Sequence, residues 1–281
     1  MKYCLPFFIN SQYKDTIDEL YIEVYETSDI LKLPAFLEEH QEQRIIIVIK
    51  DDYDFIVKDK FKMIADKMKT ANFTICMGAD WDFYLKREFA NYCNKYNFHF
   101  FFQKGAGDWD TLRGMLDMGV SDVYVVEALG FELDKVADAV HTFGAQVRCY
   151  PDVAQSSWNG ANPLYSFWIR PEDVDVYEGY IDVLESARKS SDVVKSDVFY
   201  DIYGKNKFWL GDLNVLIDGL AQASISIDSR RIVEPWAQRR LQCGKKCLKG
   251  NGCRVCHYAL SLAEALKKDN LVLTPNKKID D

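Results

Sequence analysis

Long hydrophobic runs are missing from this 281-residue chain. The longest, such as Arg44 to Lys50 (RIIIVIK) and Phe98 to Gln103 (FHFFFQ), reach only strand length, against the roughly 20 apolar residues a helix needs to cross a bilayer. No membrane span is expected. The opening MKYCLPFFINSQYKD lacks the long apolar stretch and small-x-small site of a secretory leader, so a cytoplasmic location is expected. Glycine and proline are too few, at 15 and 7, for a collagen-like or low-complexity chain. Positive charge is in the minority, 35 Lys and Arg against 43 Asp and Glu for a net charge of −8. Broad, non-specific nucleic-acid binding by the whole surface is thereby disfavoured. Serine-hydrolase, zincin and P-loop readings fall with the absence of G-x-S-x-G, H-E-x-x-H and Walker A sequences.

What is present is a dense apolar complement, 48% of the chain with 14% aromatic, enough for one large domain with at most a small appendage. Short β-branched or aromatic runs alternate with longer amphipathic ones up to about residue 190. Nine strands are expected: Tyr3 to Ile9, Tyr21 to Glu26, Arg44 to Lys50, Phe73 to Met77, Phe98 to Gln103, Asp122 to Glu127, Gln146 to Tyr150, Ser166 to Arg170 and Ile181 to Glu185. Helices are expected over Pro34 to His40, Phe55 to Lys69, Trp81 to Lys95, Asp108 to Met118 and Phe131 to Phe143. The fourth carries Trp109, Leu112 and Leu116 on one face, and the fifth Leu133, Val136 and Val140.

Strand-helix alternation implies parallel pairing with right-handed crossovers. The expected fold class is α/β, a (β/α)8 TIM-like barrel over residues 1–190, followed by a helical extension (191–266) and a flexible, frayed tail (267–281). Nine strands are one too many, and the first or the last is expected to lie outside the barrel. A doubly wound open sheet is the runner-up, but QKGAGDW at 103–109 lacks the third glycine of a phosphate turn.

The sharpest local motif is QCGKKCLKGNGCRVCH, in which Cys243, Cys247, Cys253 and Cys256 share 14 of the 281 residues. An even spread of the eight cysteines would place fewer than one there. Thiolates are the ligands of zinc and of iron–sulfur clusters, and both a zinc ion and a [4Fe–4S] cluster remain open for this set. His257 fits the start of a helix from Tyr258 to Leu266 better than a fifth ligand. Around the motif, Arg230, Arg231, Arg239, Arg240, Lys245, Lys246, Lys249 and Arg254 form a basic segment, a candidate contact for RNA or another phosphate-bearing partner within 230–254. A solvated face around the thiolates explains it equally.

Polar residues recur in phase inside the apolar strands. Alternation puts Tyr21, Glu23 and Tyr25 on one face; likewise His99 with Phe101 and Gln103, Val125 with Glu127, Gln146 with Arg148 and Tyr150, and Trp168 with Arg170. In a closed barrel those faces line the lumen. Barrel chemistry sits at the C-terminal ends of strands, where Lys50, Asp51, Asp80, Gln103, Lys104, Glu127, Asp152, Arg170 and Glu185 fall. The catalytic candidates are Glu127, Arg170, Glu23, Arg148 and Asp152. Weighed equally is a polar core in which a pair such as Glu127 and Arg148 satisfies itself. His99, early in its strand, reads as a satisfied core histidine.

The opening YCLPFFINSQYKDTIDEL with YIEVYE, the stretch MGVSDVYVVEALG, and FWIRPEDVDVYEGYIDVLE together resemble the collagenase-like peptidase family. The resemblance implies a TIM barrel related to oxygen-independent RNA and quinone hydroxylases that carry [4Fe–4S] clusters. It transfers no catalytic residue. The expected function is a divergent barrel enzyme with a Cys4 metal or iron–sulfur centre, acting on a nucleic acid base or small aromatic substrate. The alternative is a non-catalytic accessory or phage-type barrel with a structural zinc knuckle.

Overall fold

In the computed structural model of the chain, the described residues are 1–25, 27–49, 72–78, 83–125, 132–150, 174–175, 177–186, 193–204, 225–226 and 274–275. Eight strands form one parallel sheet: β1 (Lys2–Pro6), β2 (Glu19–Val24), β3 (Arg44–Ile49), β4 (Phe73–Met77), β5 (Phe100–Phe102), β6 (Asp122–Tyr124), β7 (Gln146–Cys149) and β8 (Val183–Glu185). Their order is β5-β4-β3-β2-β1-β8-β7-β6. The two outermost strands come back together: the Ser121 N–H donates to the Phe100 carbonyl at 2.8 Å and the Ala106 N–H to the Tyr124 carbonyl at 2.9 Å. The result is a nearly closed α/β barrel of the TIM-like class, and not the open doubly wound sheet.

β1 pairs with both β2 and β8. The first and last strands are therefore both members of the barrel, which corrects the expectation that one of them lies outside. The segment Ser166 to Arg170 falls outside the described residues, as does the helix expected from Phe55 to Lys69.

Central strands of a parallel barrel are covered on both faces, so their residues are apolar without alternation. β3 shows this: Ile45 through Ile49 are all at most 1% exposed. Outside the sheet stand α1 (Thr27–Glu39), α2 (Phe83–Tyr96), α3 (Trp109–Asp117), α4 (Leu133–Thr142) and α5 (Val193–Tyr203). The expected stripes hold, with Leu112 and Leu116 on α3 and Leu133, Val136 and Val140 on α4 all buried. Asp108 caps α3 by accepting from the Thr111 N–H at 2.7 Å. Gly119 (φ +84°) and Gly144 (φ +74°), just beyond α3 and α4, take the left-handed conformation that ends a helix at little steric cost.

One expectation is corrected here. α1 begins at Thr27 and carries Pro34 in its interior, because burial of Leu33 and Leu37 against the sheet outweighs the hydrogen bond that proline cannot donate. Thr274–Pro275 pairs antiparallel with Ile225–Ser226. In addition, α5 packs on β1. Tyr200 meets the Tyr3 ring at 5.5 Å, Tyr3 donates its hydroxyl proton to the Tyr203 carbonyl, and Ser11 donates to Asp197 at 2.6 Å. The packed unit thus continues past residue 190.

Candidate functional site

Residues in register on neighbouring parallel strands share a face, and four of them make a polar row. Glu185 on β8 is in register with Cys4 on β1, Cys4 with Glu19 on β2, and Glu19 with Arg44 on β3. Because the strands are tilted, one register row joins the last residue of β8 to the first of β2 and β3 while climbing along the barrel axis. On the opposite wall, Asp122 is in register with Gln146, and Tyr124 with Arg148. Two arginines tie the walls together across the lumen.

Arg148 is wholly buried and uses each guanidinium nitrogen on a different carboxylate: Nε donates to Asp122 at 3.2 Å, Nη1 to Glu185 at 2.8 Å, and Nη2 to Glu19. Its guanidinium carbon also lies 5.1 Å from the Phe101 ring centroid and 5.9 Å from that of Tyr124. Arg44 comes from the other side, donating to Asp122 at 2.9 and 2.6 Å, to Glu19 at 3.3 Å, to Gln146 Oε1 at 2.9 Å and to Thr74 at 3.0 Å. Burial by itself would lower the pKa of Arg148, but the Glu19 and Asp122 carboxylates more than offset it and hold the group well above its ordinary value. For Asp122 burial pulls upward, yet Arg148 and Arg44 hold the carboxyl at about 2.

The upper end of this column differs from the lower. Glu185 is the final residue of β8 and accepts the Tyr124 hydroxyl at 2.5 Å on Oε2 and the Tyr150 hydroxyl at 3.2 Å on Oε1. The two tyrosine rings stack at 4.7 Å and 9°. Tyr150 is half-buried while Glu185 is fully buried, so Tyr150 is the member of this pair with exposed surface. Such an arrangement can orient a carboxylate and pass a proton between it and the Tyr150 oxygen. On the other side of the barrel, Gly78 follows β4 with its N–H on the Ile49 carbonyl at 2.8 Å, where a Cβ would stand 2.9 Å from that oxygen and 3.0 Å from Gln103 Oε1.

Of the catalytic candidates, Arg148 lies at the centre of the network, and Glu23 stands at the C-terminal part of β2 as acceptor of the Tyr25 hydroxyl. Glu127, Arg170 and Asp152 lie outside the described residues, as do Cys243, Cys247, Cys253, Cys256 and the basic segment 230–254. Among the described mouth residues, Glu185 joins the network, and Gln103 adjoins Gly78. On β6 the lumen face is Asp122 and Tyr124, the opposite alternation to Val125, so the expected parity of that strand is corrected. His99 is exposed at the N-terminal mouth and is not a core histidine, because β5 begins one residue later.

Sequence reading missed Glu19, Asp122 and Arg44. Counting back in twos from Glu23 reaches Glu19, and that was the available signal. Among the described residues, no group of three or more His, Cys, Asp or Glu side chains is placed to hold a metal ion, and no helix is long and apolar enough to cross a membrane.

No protein-family model matches the chain, and no curated protein matches it. One similar solved structure is described as a conserved protein from a locus in Enterococcus faecalis with an unknown function. It is 10% identical, with a TM-score of 0.38, and the match covers 73% of this chain and 66% of that one. A likeness at that level carries no argument about activity.

Proposed function

We propose that this chain is a divergent barrel enzyme of the collagenase-like peptidase type whose reaction takes place at the C-terminal mouth, on a nucleic acid base or a small aromatic substrate. The observation that carries the reading is Glu185, a buried carboxylate at the end of β8 that accepts from Arg148, Tyr124 and Tyr150. A barrel interior filled only for stability favours branched apolar side chains, whereas this one spends its upper end on an oriented acid and two phenols. Rings exposed at the C-terminal side, Tyr25 at 60% and, opening α2 after β4, Phe83 at 55% and Tyr84 at 82%, supply flat surfaces against which an aromatic substrate stacks.

Cys243, Cys247, Cys253 and Cys256 are proposed as the ligands of a [4Fe–4S] cluster or zinc, four thiols being a donor set that fits either. The test is purification without oxygen followed by iron, sulfide and zinc analysis. About four irons per chain with absorption at about 400 nm supports the enzyme reading, and colourless protein with stoichiometric zinc overturns the cluster.

A second reading rests on the same network seen from below. Arg44, Arg148, Glu19 and Asp122 bond one another so fully that they serve equally as a polar core in a non-catalytic barrel with a zinc knuckle. Glu185→Gln and Tyr150→Phe variants decide between these once a substrate is found: loss of turnover with unchanged thermal stability favours the enzyme.

A further inference from the structure

The N-terminal mouth of the barrel, opposite the proposed reaction centre, is a polar pocket of about 480 Å³. Its floor is Arg44, whose guanidinium is 15% exposed at the side chain, and its walls are residues at or just before the strand starts. The two halves of this pocket differ in which groups already have partners.

On the β2 and β3 side the acidic groups gather. Glu19 is committed to Arg44 and Arg148, Asp18 accepts the Tyr3 N–H at 2.9 Å, and Glu42 stands exposed. On the other side, four consecutive strand starts around the ring, β4 to β7, present Asn72, His99, Ser121 and Gln146. Gln146 gives its Oε1 to Arg44, so its amide NH2 is directed elsewhere and has no acceptor among the described residues. Asn72 and His99 make no side-chain hydrogen bond or ion pair among the described residues, and both are exposed. Arg44 Nη2 uses one hydrogen on Asp122 at 2.6 Å, while its other has only the long 3.5 Å approach to Ser121 Oγ. This half therefore has donors to spare and no free carboxylate.

We propose that the β4–β7 half of the N-terminal mouth binds a small oxyanion, the phosphate or carboxylate group of a small molecule, between His99, Asn72 and Gln146 and above the Arg44 guanidinium. An oxyanion, whether tetrahedral phosphate or planar carboxylate, accepts several such donors at once, and a guanidinium beneath it strengthens each bond through charge. The carboxylates below, Glu19 and Asp122, are ion-paired with Arg44 and Arg148, and Lys2 in the pocket's lining adds a positive charge, which together reduce their repulsion of it. None of the groups proposed to touch the anion belongs to the Glu185, Tyr124 and Tyr150 group.

The experiment is thermal unfolding and isothermal titration of the full chain with inorganic phosphate and, separately, with succinate, each against chloride at matched ionic strength. The expected result is saturable stabilisation by at least one of the two that chloride does not reproduce; whichever binds names the oxyanion. In the His99→Ala/Asn72→Ala double variant, whose changes are at exposed positions, the apparent affinity should fall by about fivefold or more. Glu42→Gln, which removes only a neighbouring negative charge, should bind at least as tightly as the parent. No stabilisation beyond chloride up to about 20 mM, an undiminished affinity in the folded double variant, or loss of binding in Glu42→Gln would each overturn the proposal.

Discussion

Arg148 has no exposure and three carboxylate partners, so its removal leaves buried negative charge without a counter-ion. Arg148→Met should destabilise the fold by about 3–5 kcal/mol, read from the denaturant midpoint, and adding Glu19→Gln should recover part of the loss. Asp122 adds a pH signature. Its carboxyl is held at about 2 in the folded chain, below the roughly 3.9 of an unfolded aspartate. Its contribution is therefore complete above about pH 4 and drains away as pH falls toward 2. Denaturant titrations between pH 5 and pH 2 should show this fall, and Asp122→Asn should flatten it while lowering stability at pH 7. Tyr13 follows the opposite direction. Burial first, and then its hydrogen bond to Asp201, pushes its phenol up from the ordinary value, so it stays a donor to Asp201 through the neutral range.

At the scale of elements, two contacts decide how strands and helices meet. β3 and β4 converge at Gly78, where a side chain would press on the Ile49 carbonyl. Gly78→Ala should cost about 1–3 kcal/mol, and exchange of the amides in β3 and β4 should rise more than that of α4. α5 rests on β1 through the Tyr3 and Tyr200 rings and on the loop after β1 through Asp197 to Ser11 and Asp201 to Tyr13. Replacing both aspartates with alanine should raise hydrogen exchange across residues 193–204 and leave β2 to β4 protected. If exchange rises equally in both regions, α5 is not a separable contact but part of the cooperative core. The helix stripes Leu112/Leu116 and Leu133/Val136/Val140 were readable because period 3.6 survives whatever the helix packs on. The start of α1 was not, because Pro34 reads locally as a boundary, and only packing of Leu33 and Leu37 on the sheet carries the helix through it.

For the whole molecule, the cysteine motif gives the broadest test. The sequence around the four thiols is rich in glycine and lysine and poor in apolar residues, so ordering it would need energy that the proposed ion would supply. Cys→Ser at any of Cys243, Cys247, Cys253 or Cys256 should release the metal and expose residues 232–266 to protease while the barrel's unfolding transition persists. Unchanged metal content in three of the four variants would remove the proposed centre.

The parallel strand-helix rhythm, the apolar run of β3 and the lumen parity of Glu23 and Arg148 were determined by sequence alone, because backbone periodicity and side-chain alternation are local properties. Which charge meets which was decided only by the tertiary structure. Arg148 is 129 residues from Glu19 and 26 from Asp122, and Arg44 is 78 from Asp122. Pairs so separated are brought together by closure and tilt of the barrel, which depend on the register of all eight strands at once. The same closure explains why the first and the last candidate strands both belong to the barrel: β1 needs a partner on each side, and β8 is the strand that reaches it.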